Sequence, residues 1–361
     1  MERSAGQKQP PAWPLLSVII PAYNESAIIA DVLGRLHQLL AGRYRYEIIV
    51  VDHGSTDATV AVAEANGATV YTYRGATVAG LRNYGARHAA GDVLLFLDAD
   101  VVPTTGWIEG LPGALEALAA RPRVLTGSTC GIPRDAGLIE RFWFDPALYR
   151  RGLTHLGSAH MLITRAFFEE LGGFEETLET GEDYDLCTRA REHGGTVVDD
   201  PRLPVEHRGN PQTLYAFVRR EIWHGSGDFR SLRSVWRSKV ALATLGFVGL
   251  HVVLVIALAA RDWLMLGLAA GLIVLLCAAA ALTRFSARRP SVLLFNTALF
   301  YFYFLGRAGS ILRALWLRFG QRRGWKPRSR SHGPAAPRGL EAGHARAEAA
   351  LSGDRPGPRA D

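Results

Sequence analysis

Two apolar runs in the second half of the chain leave few folding options. "VALATLGFVGLHVVLVIALAA" spans 240–260 and "WLMLGLAAGLIVLLCAAAAL" spans 263–282. At about 1.5 Å per helical residue, each is long enough to cross a ~30 Å hydrocarbon layer. A buried helix in a soluble globule would need apolar neighbours on every side, and two such runs nearly back to back are hard to bury that way. They predict a transmembrane helical hairpin. A third segment, "SVLLFNTALFYFYFLGRAGSILRALWL" (291–317), carries Arg307 inside it. It reads either as a third span over 291–312 or as a re-entrant or interfacial helix.

Charge bias supplies an orientation. Arg230, Arg233, Arg237 and Lys239 precede the first run, and Arg284, Arg288 and Arg289 follow the second. Both clusters are expected on the cytoplasmic side of a multi-pass cell-membrane protein, with Arg261-Asp262 as the outer turn. A true third span would export the basic run 318–330 against that bias, so both readings of 291–317 stay open. The start, "MERSAGQKQPPAWP", lacks an apolar signal region, so the folded part is expected in the cytoplasm.

Charge also divides the chain. Residues 17–210 hold 17 Lys+Arg against 26 Asp+Glu, while the remainder is strongly basic, giving +7 overall. The basic balance therefore belongs to the membrane-associated part, and nucleic acid is not an expected partner. Cys130, Cys187 and Cys277 are scattered, which argues against a zinc site or a disulfide framework. Residues 1–14 read as a tail, 211–239 as an amphipathic interfacial linker with Tyr215, Phe217, Trp223, Phe229 and Trp236 among arginines, and 325–361 as disordered.

Within 15–210, strands and helices alternate. "LLSVII" (15–20), "YEIIVVD" (46–52), "ATVYTY" (68–73) and "DVLLFLD" (92–98) are predicted strands. Helices are predicted over 27–40, 57–67 and 78–90. Continuous Val/Ile/Leu runs separated by helices predict an α/β fold with a mostly parallel sheet, whose ligands bind at the carboxyl ends of the strands. Three of the four strand ends carry polar groups: Pro21 to Glu25, Asp52, and Asp98-Ala-Asp100. Neither a G-x-G-x-x-G fingerprint nor a phosphate-binding loop is present. A diphosphate ligand would need another charge-balancing device, and two strand-end carboxylates holding Mg²⁺ or Mn²⁺ would supply it.

Five motifs in order now carry a resemblance: "SVIIPAYNES" (17–26), "IIVVDHGSTD" (48–57), "RNYGARHAAGD" (82–92), "LFLDAD" (95–100) and "GGFEETLETGEDYDLCTRAR" (172–191). Together they resemble glycosyltransferase family 2, inverting enzymes of the GT-A fold that use nucleotide-sugar donors. The resemblance implies a Rossmann-like nucleotide-binding half and a set of roles. Pro21, Ala22, Tyr23 and Glu25 would line the nucleotide pocket, and Asp52 would accept a hydrogen bond from the base. Arg82 would reach the nucleotide or diphosphate, although it reads equally as a helix-surface arginine. Asp98 and Asp100 match the DxD motif that holds the divalent metal, Mn²⁺ or Mg²⁺. His207, in "PVEHRGNP", matches a histidine that completes the metal ligands in several relatives. Asp183 fits the general base of a Glu-Asp motif, and Glu182 would orient the acceptor; the same "GED" also reads as a turn opening a helix. His160 is expected on the acceptor side, with the insert 133–155. His53, often Asp in the family, is read as tolerated variation.

Three functions fit this sequence. The first is metal-assisted transfer of a sugar from a nucleotide-sugar to a hydroxyl of a lipid-linked or cell-envelope glycan, with membrane lipids as further partners. The second is a polyprenyl-phosphate sugar synthase; Val102, where such enzymes commonly carry glutamine, and the Glu-Asp motif favour the hydroxyl acceptor. The third is a non-catalytic membrane scaffold keeping the fold. Its degenerate members usually lose carboxylates that are all intact here.

Overall fold

A computed structural model describes residues 14–149, 155–225, 227–229, 232–286 and 289–321. The expected tail at 325–361 and nearly all of that at 1–14 lie outside the described residues. So do Arg230, Arg288 and residues 150–154 of the insert.

The first half alternates as expected: β1 (Leu16–Ala22), α1 (Ile29–Leu40), β2 (Tyr46–Asp52), α2 (Thr59–Ala65), β3 (Thr69–Thr72), α3 (Val78–His88) and β4 (Val93–Leu97). A three-residue β5 (Val101–Pro103), α4 (Trp107–Ala120), β6 (Val124–Gly127), β7 (His160–Thr164), α5 (Arg165–Glu170), α6 (Glu182–Glu192), β8 (Thr196–Asp199) and β9 (Val205–His207) complete the domain. The main sheet has the order β3-β2-β1-β4-β7-β6-β8, and β5 pairs with β9 apart from it. It is mostly parallel, with β7 running antiparallel to both neighbours.

Each helix is held by the apolar face its spacing provides. Ile29, Val32, Leu33, Leu36, Leu39 and Leu40 of α1 recur at three- and four-residue intervals and are all buried. On the other side of the sheet, Gly85 lets α3 close on β1, since a Cβ there would stand 2.5 Å from Ile19 Cγ2.

β1 extends two residues beyond the predicted end at Ile20, through Pro21 to Ala22. Its pairing with β4 stops at Ile19, whereas pairing with β2 continues to Ala22. Pro21 therefore lies where one edge of β1 is already free, which a residue without an N–H tolerates. The parting of β1 and β4 opens a crevice at the carboxyl edge, where sheets of this order bind ligands.

The second half is helical: α7 (Leu214–His224), α8 (Leu232–Arg237), α9 (Lys239–Ala260), α10 (Trp263–Arg284) and α11 (Pro290–Gln321). Lys239–Ala260, Trp263–Arg284 and Pro290–Ala314 are long and apolar enough to cross a membrane. The insert forms a short helical turn over 140–144 whose Trp143 is 1% exposed and packs with Phe217, Phe285, Phe300 and Tyr303. It is thus a wedge between the domain and the bundle, with its aromatic residues facing α7, α10 and α11.

Arg307 explains how a charge is accommodated within the third apolar segment. Its guanidinium pairs with Glu221 (3.1 Å) and Asp228 (2.9 Å). Asp228 also accepts a 2.8 Å hydrogen bond from Ser238 Oγ, at the start of α9. Gly306 allows the approach of α7, because a Cβ there would meet Val218 O at 2.9 Å.

Removing one partner of this poorly exposed triad leaves the others uncompensated, at a cost of about 3–5 kcal/mol. The Arg307→Met protein is therefore expected to melt well below wild type in detergent. Adding Glu221→Gln and Asp228→Asn should recover much of the loss; a triple variant no more stable than the single one would contradict this account.

Candidate active site

The carboxyl ends of β1 and β2 are tied into one wall. Asn24 adopts a left-handed conformation (φ 56°), and its Oδ1 accepts from the Thr56 N–H at 2.8 Å. Ser55 Oγ accepts from the Asn24 N–H, and Thr59 Oγ1 from that of Glu25. Asp52 is 1% exposed, and its carboxylate is engaged by the Gly54 and Ser55 N–H groups and the Ser55 hydroxyl. In this structure Asp52 holds its own turn, which shapes the wall beside Pro21, Ala22 and Tyr23. His53 stands edge-on to Tyr23, with ring centroids 5.8 Å apart.

Facing that wall are the two aspartates after β4. The pairing of β5 with β9 sets Val101 opposite His207, so the histidine arrives beside Asp100 although 107 positions separate them. His207 Nδ1 lies 3.7 Å from Asp100 Oδ2, and the same nitrogen accepts from the Gly209 N–H at 3.2 Å. Two acceptors thus face each other across a gap too long for a hydrogen bond. Burial pushes the Asp100 carboxyl up, His207 draws it down, Asp98 raises it further and Arg220 opposes that. Glu25 is pushed up to about 8 by burial and by the charges of Asp100, Asp98 and Asp57. Carboxylates crowded together with an imidazole form a donor set suited to Mg²⁺ or Mn²⁺. Among the described residues no three His, Cys, Asp or Glu side chains close around one point. A site of this kind would take its remaining ligands from diphosphate oxygens and water. The Cys130 thiol, pushed up by burial and by Asp98, Asp100 and Asp199, stays protonated beside it.

Arg82 sits differently from either reading of the sequence. It is 2% exposed, and its guanidinium bonds Asp98 Oδ1 at 2.6 Å and Glu182 Oε1 at 2.9 Å. The expectation that it reaches a nucleotide is corrected: it lies inside the protein, joining Asp98 to Glu182, the first residue of α6. Glu182 is likewise buried, bonded also to Ser158 Oγ at 3.1 Å, and so holds Arg82 where the sequence suggested it would orient an acceptor. Asp183 follows it in the first turn of α6, half-buried beside Gly157 and close enough to Arg82 to feel its charge. Of this pair, Asp183 is the more exposed carboxylate.

His160 is also corrected. It opens β7 opposite Leu97, fully buried, where Trp107 Nε1 donates to its Nε2 at 2.9 Å. Its Nδ1 lies 3.1 Å from the Ser128 backbone nitrogen and 3.0 Å from Ser128 Oγ, and that hydroxyl donates onward to Leu203 O. Strand register draws it into the core. Nothing in the sequence marks Gly209 or Ser158, whereas Arg220, with Arg219 and His224 in the linker, is a cation placed to meet a diphosphate or an acceptor lipid phosphate. Only the short spacing His207-Arg-Gly209 could have pointed to the first.

The sheet order and its flanking helices define an α/β domain of GT-A type. Residues 17–154 match the sequence profile of Glycosyl transferase family 2. It is 28% identical over 243 residues to a pre-mycofactocin glycosyltransferase of Mycobacterium tuberculosis, covering 63% of this chain and 50% of that protein. It is 30% identical over 221 residues to a validoxylamine A glucosyltransferase of Streptomyces hygroscopicus subsp. jinggangensis, covering 50% and 52%. The chain thus spans about half the length of these curated relatives. Among solved structures, the mannosyltransferase PcManGT of Pyrobaculum calidifontis, in complex with GDP-Man and Mn²⁺, aligns with TM-score 0.51 and 21% identity over 85% of this chain and 88% of that one.

Burial lowers the His160 imidazole to about 3. In the unfolded chain it would titrate near ~6.5, so the unfolded state binds the extra proton between those values and stability rises with pH there. Acidifying below pH ~6.5 should therefore cost wild type up to about 1.4 kcal/mol per pH unit more than a His160→Gln variant. Melting curves of the two proteins across pH 4–7 check this; parallel curves would refute it.

Proposed function

We propose that the protein is a membrane-anchored inverting glycosyltransferase. It would transfer a sugar from a nucleotide-sugar to a hydroxyl of a membrane-borne or cell-envelope glycan. The observation that carries this reading is the juxtaposition of Asp98, Asp100 and His207 on one side of Arg82 with Asp183 on the other. The nucleotide would lie against Pro21 to Glu25 and the Asp52 turn. Asp98, Asp100 and His207 would hold Mg²⁺ or Mn²⁺, which when bound offsets charge developing on the diphosphate. PcManGT, with its GDP-Man and Mn²⁺, is consistent with that donor chemistry.

Asp183 takes the proton of the acceptor hydroxyl as its oxygen forms a bond to the anomeric carbon. The bond from that carbon to the diphosphate oxygen breaks, its electron pair leaving with the nucleoside diphosphate, and configuration inverts. A general base contributes about 10²–10⁴-fold. Asp183→Asn is therefore expected to lose transfer by about that factor while keeping Mn²⁺-dependent nucleotide binding; transfer at the wild-type rate would remove Asp183 from the role. Gly209→Ala tests the other half, since its Cβ would stand 1.7 Å from Asp100 Oδ2. Displacing that carboxylate should weaken metal-dependent nucleotide binding about 10- to 100-fold in a folded protein.

For the membrane topology we favour α9 and α10 as the spans and α11 as an interfacial helix. Asp228 touches both Ser238 at the start of α9 and Arg307, the eighteenth residue of α11. A helix that began beside Arg284 and crossed the bilayer would carry Arg307 to the opposite face. A cysteine added after residue 321 should then react with an impermeant thiol reagent on the same membrane side as one in the catalytic domain. Labelling from the opposite side would establish a third span.

A further inference from the structure

Two arginines stand between the candidate active site and the membrane helices without a carboxylate partner among the described residues. Arg220 belongs to α7 and Arg284 is the last residue of α10. The guanidinium of Arg220 lies 4.6 Å over the Phe144 ring, and that of Arg284 lies 4.4 Å over Trp143 and 5.4 Å from both Tyr149 and Phe285. The remaining polar contacts are neutral. Arg220 Nε donates to His224 Nε2 at 3.1 Å and Nη1 to Asn210 Oδ1 at 3.4 Å, while Arg284 Nη2 donates to the Tyr149 hydroxyl at 3.5 Å. The two nearby carboxylates, Glu221 and Asp228, are both engaged by Arg307.

Aromatic faces hold a guanidinium through its flat side and leave the N–H edge for an in-plane acceptor. Partly buried guanidiniums fixed in this way, with positive charge in excess, match the bidentate recognition of a phosphate. His224 adds to the argument. Burial first, then the charges of Arg220, Arg307 and Arg284, drive its protonation down, so the cluster opposes a further cation. Placement selects the source of the phosphate. Arg284 ends a membrane-type helix, and its aromatic cradle is continuous with the apolar cluster of Phe285, Phe300, Tyr303 and Phe304 in the bundle. Arg220 reaches the other way, close enough to Asp100 for its charge to be felt there.

The geometry points to a phosphate site formed by Arg220 and Arg284, which receives the phosphate of a membrane-embedded lipid ligand and holds that lipid's head beside the sugar-transfer centre. This rests on the glycosyl-transfer reading and names its acceptor as a glycan hydroxyl carried on a phosphate-bearing lipid. The tilted and edge-on rings around Trp143 would give the lipid an aromatic wall between α10 and α7.

The test uses the full chain in phosphatidylcholine nanodiscs, without donor. The probes are a long-chain prenyl monophosphate, the matching prenyl alcohol, and UDP or GDP with Mn²⁺. Wild type should bind the phosphate in preference to the alcohol. Arg284→Gln and Arg220→Gln should each weaken phosphate binding about tenfold or more, as loss of a charge-assisted hydrogen bond implies. Arg284→Lys should retain part of it, and Arg284→Gln should leave Mn²⁺–nucleotide binding unchanged. Should Arg284→Gln fail to fold, Arg220→Gln, outside the spans, gives the same reading. The proposal is overturned if phosphate and alcohol bind alike, if neither variant affects the phosphate, or if Arg284→Gln weakens the nucleotide and spares the lipid. That last result would assign the anion site to the donor. Failure of wild type to bind any nucleotide with Mn²⁺ would instead count against the glycosyl-transfer reading, and the lipid readout distinguishes the two.

Discussion

The site depends on one buried guanidinium. Arg82 is almost without solvent, and its charge is balanced by Asp98 on one side and Glu182 on the other. Such a charge is tolerable inside a protein only when paired and hydrogen-bonded, and removing a partner is costly. Its position follows from packing. Gly85, one turn along α3, admits Ile19 and Val51 of the sheet where a Cβ would stand 2.5 and 3.1 Å from them. That close approach sets α3 over β1 and β2, and places Arg82 level with the end of β4. The aspartate after β4 and the opening of α6, 84 residues apart in sequence, are thereby held in a fixed relation. Donor and acceptor sides of the reaction would share this strut.

A second set of contacts fixes the domain to the bundle, and it uses a different chemistry. Trp143 from the insert, Phe217 from α7, Phe285 after α10 and Phe300 with Tyr303 from α11 form one aromatic seam. Its cations all lie over ring faces, and Arg307, 4.9 Å over Tyr303, has two carboxylates as well. The difference follows from position: Arg307 lies within an apolar helix and needs neutralising, whereas Arg220 and Arg284 lie toward the sheet edge.

Much of this was legible in the sequence, because strands β1, β2 and β4 and helices α1, α9 and α10 are written as uninterrupted or periodic apolar runs. The strand-end carboxylates were legible for the same reason, since a run that stops at Asp98 must leave the core there. What was hidden is whatever depends on pairing between distant segments. β5 and β9 are three residues each, too short to show a pattern, yet their register delivers His207 to Asp100. The antiparallel β7 carries no directional mark, and its register alone turns His160 inward to Trp107 and Ser128. Arg82 in a helix of modest amphipathicity looks like a surface residue. Only the fold shows that its face of α3 meets two carboxylates. The predicted helix start at Asp57 fails for a local reason: its carboxylate accepts from the Ser26 and Thr59 N–H groups, joining the two turns, and the helix begins at Thr59.

Continuity of the chain then constrains how the domain stands against the apolar helices. β9 ends at His207, Gly209 follows beside Asp100, Asn210 accepts from Arg220, and α7 begins four residues later. α7 is in turn closed on α11, where a Cβ at Gly306 would meet Glu221 Cβ at 2.7 Å and one at Gly309 would meet Ile222. Consequently His207, a short turn and α7 form one continuous path with no long linker between them. A domain tethered by a flexible chain could take many positions relative to its helices. Here the glycine contacts and the Arg307 triad hold the sheet edge in one relation to α9 and α11. On the membrane-anchored reading proposed above, an acceptor would have to be presented at one height above the bilayer.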